Sequence, residues 1–339
     1  MSSEETWSNK IASRLASLCK PPGSLGELER VAARLCEIQK TLEPVTRPRH
    51  VSIFAADHGV TCEGVTAWPS NVTGKVVEVM QHGRSASGVF AKVLDCRYEV
   101  VDVGLLSAIH GSGSLVIQAA KRRSTGNMLR EPAMSEADFE HAWSVGAERA
   151  RLACEASSVL LIGGEMGIGN TTSASCLIGL FTGAQPDLIV GRGAGLDDDK
   201  LIHKRQVVKS TIERVRSIGA TSAKEIACQV GGLEIVALAG FYTEGSRLGA
   251  TLLIDGLIAT AAALIAARID PSVRDRMIAG HRSTEPGHLS ALEHLALSPV
   301  LDLKMRLGEG TGALVALPIL DLAAKMVREM ATLEELKLE

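Results

Sequence analysis

The sequence predicts an α/β fold: a parallel sheet with helices on both faces, and a small helical unit built from the two chain ends. Three observations predict it. Short runs that are apolar throughout alternate with helical patterns, as strands buried on both faces do. Most of these runs end on a charged residue with a glycine at once or within two positions. The first two helical stretches have no strand of their own and stand outside the alternation.

The elements follow in order. Ile11, Leu15 and Leu18 share one face of a helix over Trp7–Cys19, which Lys20-Pro-Pro-Gly23 breaks. Ser24-Leu-Gly-Glu27 reads as a capping box for a second helix carrying Leu28, Val31, Leu35 and Ile38 on one face. Val51–Ala56 and Tyr98–Val103 read as strands, with a helix over Val72–Gln81 between them. The polar stretch Gly111–Pro132 suggests no regular element. A long amphipathic helix spans Ser135–Ala156, then a strand Ser158–Ile162 and a helix Thr171–Phe181. Asp187–Val190 reads as a further strand, Leu201–Ile218 and Gly231–Phe241 as helices, and Ala250–Ile254 as a strand followed by the helix Leu257–Ala267. Met277–Ala279 is a short strand. Leu307–Gly312 is a glycine-rich turn into a closing helix, Ala313–Met330. The resulting division puts residues 1–48 and about 313–339 in the helical unit and 49–312 in the α/β domain.

Composition removes several classes. Lys plus Arg number 36 and Asp plus Glu 39, for a net charge of −3 without basic clusters, which disfavours nucleic acid and anionic membrane as partners. With 46% apolar and 22% charged residues the chain is neither disordered nor collagen-like. The seven cysteines form no CxxC pair, and the polar N-terminus shows no secretory signal. Asp255 and Gly256 interrupt the longest apolar stretch, Leu248–Ala267, so no membrane insertion is expected. A reducing cytosol is the expected compartment.

Ligands of open parallel sheets bind beyond the carboxyl ends of the strands. The residues expected there are Asp57, Asp102, Glu165, Arg192, Asp255, His281 and, by extension, Glu309. Each taken singly also reads as a turn residue or helix cap. Gly163-Gly-Glu-Met-Gly-Ile-Gly-Asn-Thr-Thr172 is the most informative segment. Gly167 and Gly169 let backbone amides approach an anion, and Asn170, Thr171 and Thr172 offer donors at a helix start. From Gly164 it matches the P-loop pattern except that Asn170 replaces the lysine, which favours a single phosphate over a triphosphate. Gly191-Arg-Gly-Ala-Gly195 repeats the arrangement, with Gly193 and Gly195 in the turn and Lys204 within reach from the following helix. The alternative for these segments is a pair of tight turns with an exposed helix lysine.

Asp57-His58-Gly59 leads into a loop with Trp68, Ser70 and Asn71. In a chain with only 3% aromatics, a loop tryptophan suits one face of a slot for a flat ring, with Ser70 and Asn71 bonding ring nitrogens. The competing reading is a tryptophan plugging the core. Glu309 lies between Gly308 and Gly310 with apolar neighbours that can desolvate it, as a general base requires, although a helix-start acid has the same appearance. Neither a metal-ligand motif nor a GxSxG elbow occurs, so no metal or cofactor is expected.

Several segments together resemble a known family: Lys20-Pro-Pro-Gly-Ser-Leu-Gly-Glu-Leu-Glu29, Ala56-Asp-His-Gly-Val60, Gly164–Thr172, Gly191–Gly195, Asp255-Gly256, Glu285-Pro-Gly-His288 and Leu307–Gly312. In this order they are similar to the nicotinate-nucleotide–dimethylbenzimidazole phosphoribosyltransferases, over nearly the whole chain. The resemblance implies a Rossmann-like large domain, a small helical domain and a homodimer. It implies transfer of a 5-phosphoribosyl group from nicotinate mononucleotide to 5,6-dimethylbenzimidazole, giving α-ribazole 5′-phosphate and nicotinate in cobalamin assembly. It makes Glu309 the catalytic base, and the chemistry of such a step gives Glu165, beside the phosphate turn, and Asp255 the charge to stabilise the positive charge that builds on the ribose. Two other readings stay open: the same transfer to another aromatic base, purine or phenolic, and a non-catalytic nucleotide-binding regulator of the same fold.

Overall fold

The computed structural model describes residues 6–107, 109 and 115–336. Residues 111–114 of the polar stretch lie outside the described residues. Seven parallel strands form one sheet: β1 (Arg49–Ala56), β2 (Arg97–Gly104), β3 (Val116–Gln118), β4 (Leu160–Met166), β5 (Thr251–Ile254), β6 (Met277–His281) and β7 (Pro299–Leu301), in spatial order β3-β2-β1-β4-β5-β6-β7. The order reverses between β1 and β4, which is the switch point of a doubly wound sheet.

Helices α1 (Trp7–Ser17) and α2 (Glu27–Gln39) precede the sheet, and α3 (Val72–Met80) and α4 (Ala86–Val93) connect β1 to β2. Helix α5 (Glu136–Glu155) leads into β4. Between β4 and β5 lie α6 (Asn170–Thr182), α7 (Pro186–Ile189), α8 (Asp198–Ser217), α9 (Ala223–Val230) and α10 (Leu233–Arg247). Then come α11 (Leu257–Ile269), α12 (Gly287–His294) and α13 (Thr311–Glu329). Among the described residues no helix is long and apolar enough to cross a membrane.

Strand β1 shows why the sheet is apolar on both sides. Every residue of it is buried. Phe54 and Ala56 join the core beneath α5, α6, α10 and α11, while Val51, Ile53 and Ala55 join the core beneath α2 and α13. The period-2 alternation therefore divides the residues between two apolar faces rather than between core and solvent. Helices α1, α2 and α13 pack on one another and close the second face, and Arg14 ties α1 to the Val327 carbonyl with Nε at 3.0 Å. On the first face α5 and α10 lie close enough that a Cβ on Gly146 would collide with the backbone of Ala237, and one on Gly240 with the backbone of Trp143.

Three local expectations need correction. Asp187–Val190 is not a strand: Pro186 occupies the first helical turn of α7, the Val190 amide bonds back to the Pro186 carbonyl, and β5 takes the place beside β4. The glycine turn at Gly191 thus follows a helical turn, not a strand. The Ser24–Glu27 capping box does not form. Gly26, at φ 51°, is the residue before α2, and Glu29 instead accepts from the Leu25 amide at 3.0 Å and pairs with Lys20 at 2.8 Å. The polar stretch does contain an element, the three-residue edge strand β3 paired with Val100–Asp102.

Candidate active site

A cavity of about 690 Å³ opens at the carboxyl ends of the strands beside the switch point, a size suited to a small ligand. Four chain segments build it: the loop after β1, the β4–α6 turn with the Gly193 turn, the ends of β5 and β6, and the Met305–Glu309 loop.

The polar end begins at β4. Gly167, Gly169, Asn170 and Thr171 line the cavity where β4 turns into α6. Gly169 holds φ at 100°, a value costly for other residues. Its amide region and the first turn of α6 form the expected anion site. Lys204 arrives from α8 and is buried to 1% exposure, not a solvated helix lysine. Its Nζ donates to Thr171 Oγ1 at 2.8 Å and to the Gly191 carbonyl at 3.3 Å, which leaves one of its three donors for a ligand. Burial pulls its pKa down to about 8, opposed by the nearby Glu285 carboxylate. Glu285 Oε1 accepts from the Gly193 amide at 3.0 Å and so fixes the second turn. Thr172 is fully buried within α6 and Gly195 is not among the lining residues, so neither reaches the cavity.

The acidic centre comes next. Glu165, on β4, accepts from the Asn170 amide. Burial, with Glu234, Asp255 and Glu309 close by, pushes its carboxyl well above the usual carboxylate range. Asp255 follows β5. Its Oδ1 accepts from the Ala313 amide at 3.0 Å and lies 3.6 Å from His281 Nε2, so it caps α13, which has no side-chain cap of its own. Burial raises its pKa, against the pull of His281 and of the α13 amides.

Glu309 sits just before α13. Gly308, Glu309 and Gly310 all have positive φ (86°, 59° and 72°), and a Cβ on Gly308 would collide with Glu165 Oε1. The glycines are there because this strained turn must press against β4. Burial raises the Glu309 pKa and Asp255 adds to it, while Ser87 and Ser85 donate hydrogen bonds that lower it. The same loop is tied to the Gly193 turn, since Arg306 Nη1 donates to the Gly193 carbonyl at 2.8 Å.

The apolar lining comes from Val65, Ala67, Trp68, Val72 and Val76, together with Met166, Ile168 and Leu307. Trp68 is 54% exposed, a rim residue rather than a core plug. The other residues expected around the ring point elsewhere. Asp57 Oδ2 accepts from the Leu106 amide at 2.9 Å and braces the β2 loop; Ser70 shares a hydrogen bond with Thr61 at 2.7 Å; Asn71 is exposed just before α3. None of the three lines the cavity. Asp102 likewise holds its own turn, accepting from the Gly104 and Leu105 amides at 3.0 and 2.9 Å.

Several contributors escaped the sequence reading. Ser283 lines the cavity just past the end of β6, and the strand-end rule that selected His281 could have found it. Its amide donates to His288 Nδ1 at 2.9 Å, and His288 is driven down to about 3 by burial and the neighbouring His281, so it stays neutral as that acceptor. His58 and Glu234 form a buried pair at 2.7 Å behind the Gly167 turn. Ser87 reaches Glu309 only through tertiary packing. Among the described residues no group of His, Cys, Asp and Glu is arranged to hold a metal ion.

Comparison with known proteins gives the same picture as the geometry. The family model described as "Phosphoribosyltransferase" matches residues 2–337. A Chromobacterium violaceum protein named nicotinate-nucleotide–dimethylbenzimidazole phosphoribosyltransferase is 48% identical over 96% of this chain and 94% of its own. A Thermus thermophilus protein of the same name is 42% identical over 95% of each. The crystal structure of CobT from Thermus thermophilus superposes with a TM-score of 0.94 at 40% identity, covering 98% of this chain and 99% of the other. The chain belongs to the nicotinate-nucleotide–dimethylbenzimidazole phosphoribosyltransferase family.

Proposed function

We propose that the protein transfers the 5-phosphoribosyl group of nicotinate mononucleotide to 5,6-dimethylbenzimidazole, releasing nicotinate and α-ribazole 5′-phosphate. The observation that carries this reading is one cavity lined by Lys204 and two glycine turns, by the carboxyls of Glu165, Asp255 and Glu309, and by apolar side chains from the loop after β1.

The monophosphate suits the Gly167–Thr171 turn and the free donor of Lys204. The nucleotide's pyridinium ring is cationic, and a cavity crowded with Glu165, Asp255 and Glu309 is matched by a positive ligand. As the C1′–N bond breaks, its electron pair returns to the ring and nicotinate departs neutral at nitrogen, so no acid is needed. A benzimidazole nitrogen forms the new bond at C1′ while Glu309 takes the proton from the other nitrogen. Attack from the face opposite nicotinate inverts C1′ and gives the α-linkage. Positive charge gathers on the ribose in the transition state, where Glu165 and Asp255 favour it. A positioned base supplies about 10²–10⁴-fold, and juxtaposition of the two rings supplies much of the rest. Val65, Val72, Val76 and Trp68 suit a flat apolar acceptor better than a polar purine edge. Family membership also supports a homodimer in the cytosol, for which light scattering would return twice the 35.8 kDa chain mass.

The test is product analysis. Nicotinate mononucleotide plus dimethylbenzimidazole should give one nicotinate per α-configured ribazole phosphate, read by NMR of the anomeric proton. Purines and phenols in the same assay should react more slowly. Binding of the nucleotide without turnover for any base would leave the regulator reading instead.

A further inference from the structure

We infer that Ser87, in the first turn of α4, is a positioning residue for Glu309, holding one carboxylate oxygen so that the other faces the cavity. The inference rests on the reading of Glu309 as the base.

Ser87 is fully buried and is not a cavity-lining residue. Its hydroxyl oxygen lies 3.2 Å from Glu309 Oε2, 3.0 Å from the Tyr98 hydroxyl and 2.9 Å from the Ser85 hydroxyl. Ser85 Oγ is already the cap of α4, accepting from the Gly88 amide at 3.2 Å.

Counting protons fixes the direction of the chain. An ionised Glu309 has no proton to give, so Ser87 spends its single proton on Oε2. Tyr98 can then donate to Ser87, while the single Ser85 proton goes either to Ser87 or to Glu309, which Ser85 also faces. With Ser87 as donor, Oε2 is held as an acceptor, which favours the ionised carboxyl over the neutral one. The backbone fixes the other side, since residues 308–310 all have positive φ and carry Glu309 out of the turn in one direction.

The groups facing Glu309 sort into two sets. Asp255 from the end of β5 and Glu165 from β4 are like charges, and burial acts with them to disfavour the anion. Ser87 and Ser85 from α4 oppose them, with Tyr98 from β2 behind Ser87. The Ser87 hydroxyl is thus one of the contacts, with the Ser87 backbone N–H and Ser85, that favour the ionised form of the base.

The experiment compares pH profiles of kcat/KM for the aromatic base, at saturating nicotinate mononucleotide, for the wild type, Ser87→Ala, Tyr98→Phe and Glu309→Gln. Loss of a donor to the anion raises the pKa of the base, so the acidic limb of the profile should move to higher pH. The expected shift for Ser87→Ala is about one unit, which lowers activity about tenfold below the limb. Tyr98→Phe should move the limb the same way by less, and the KM for the nucleotide should stay within about twofold in both, since neither hydroxyl lines the cavity. A limb that stays at the wild-type pH in both variants overturns the inference. Glu309→Gln separates the two layers: if it is inactive while Ser87→Ala keeps the wild-type profile, the role of Ser87 alone fails. If Glu309→Gln keeps both the rate and the limb, the assignment of the base itself fails.

Discussion

Burial sets the charge state of Lys204. A lysine on an open helix face would carry its charge to beyond pH 10, but here the surroundings bring its pKa down to about 8. The sign of the consequence is direct. Below pH 8 the group is charged and available to a phosphate; as pH rises through 8 in the free protein the charge is lost. Above about pH 7, where a phosphate monoester is largely doubly ionised, affinity for nicotinate mononucleotide should hold to about pH 8 and fall beyond it in the wild type. In Lys204→Met it should be weaker by about tenfold or more and lack that inflection, since a charge-assisted hydrogen bond is worth about 1.5–3 kcal/mol. Calorimetric titration across the alkaline range would check both, and an identical inflection in the variant would place its origin in another group. Glu165 shows the opposite case, a carboxyl that burial and its acidic neighbours push toward the neutral form.

The β4–α6 turn shows what a short element can dictate. Gly169 stands at φ 100°, and a Cβ there would come within 2.8 Å of Thr61 Cγ2. Gly169→Val should therefore combine backbone strain with a steric block and weaken nucleotide binding by about tenfold or more, at about 1–3 kcal/mol for the strain alone; unchanged affinity would mean that the anion binds elsewhere. Between α5 and α10 the glycines serve packing instead. Gly146→Leu, remote from the cavity, should lower thermal stability by about 3 kcal/mol or more through overpacking, leaving nucleotide affinity intact in whatever remains folded. These turns were legible because closely spaced glycines directly after an apolar run mark a strand that must turn sharply into a helix. Asp187–Val190 was misread because four apolar-rich residues suit a strand or a helical turn equally, and Pro186 decides the matter only once β5 is known to occupy the neighbouring position. The Trp68 loop was legible in part: its tryptophan reaches the rim, but Ser70 and Asn71 follow the turn into α3 and face away, a direction that no linear pattern carries.

At the scale of the whole molecule, polar contacts add to the packing that holds α5 on the sheet. Glu99 on β2 receives Arg149 from α5 at 2.9 and 2.6 Å and Ser52 from β1 at 2.8 Å, with His50 3.3 Å away. Burial alone would raise its pKa, yet His50, Arg149 and Ser52 outweigh it and bring it down to about 2. A depressed carboxylate pKa contributes stability that is present above the unfolded value near 4.5 and lost as pH falls toward 2. The shift corresponds to about 3 kcal/mol at neutral pH. Denaturant unfolding should find Glu99→Gln less stable than the wild type by about 1–3 kcal/mol at neutral pH, with the gap closing as the medium is acidified toward pH 2. A gap independent of pH would assign the loss to packing.

The parallel α/β class, most of the central strands and the chain of motifs could be read from the linear sequence because each is a local pattern, whereas the order of strands and the short edge strands β3 and β7 could not. Neither could the support of Glu309. Ser87 belongs to a helix whose own pattern says nothing of a carboxylate 222 positions away, and only the packing of α4 under the α13 turn brings the two together. The central claim is that one cavity holds the phosphate at Lys204 and the acceptor ring at Glu309, on opposite sides of the ribose. A crystal structure of Glu309→Gln with nicotinate mononucleotide and dimethylbenzimidazole tests it most directly. The account predicts the phosphate within hydrogen-bond distance of Lys204 Nζ and the Gly167–Thr171 amides, and the benzimidazole N–H directed at residue 309. A phosphate bound outside those turns, or a ring with no nitrogen near residue 309, would contradict it.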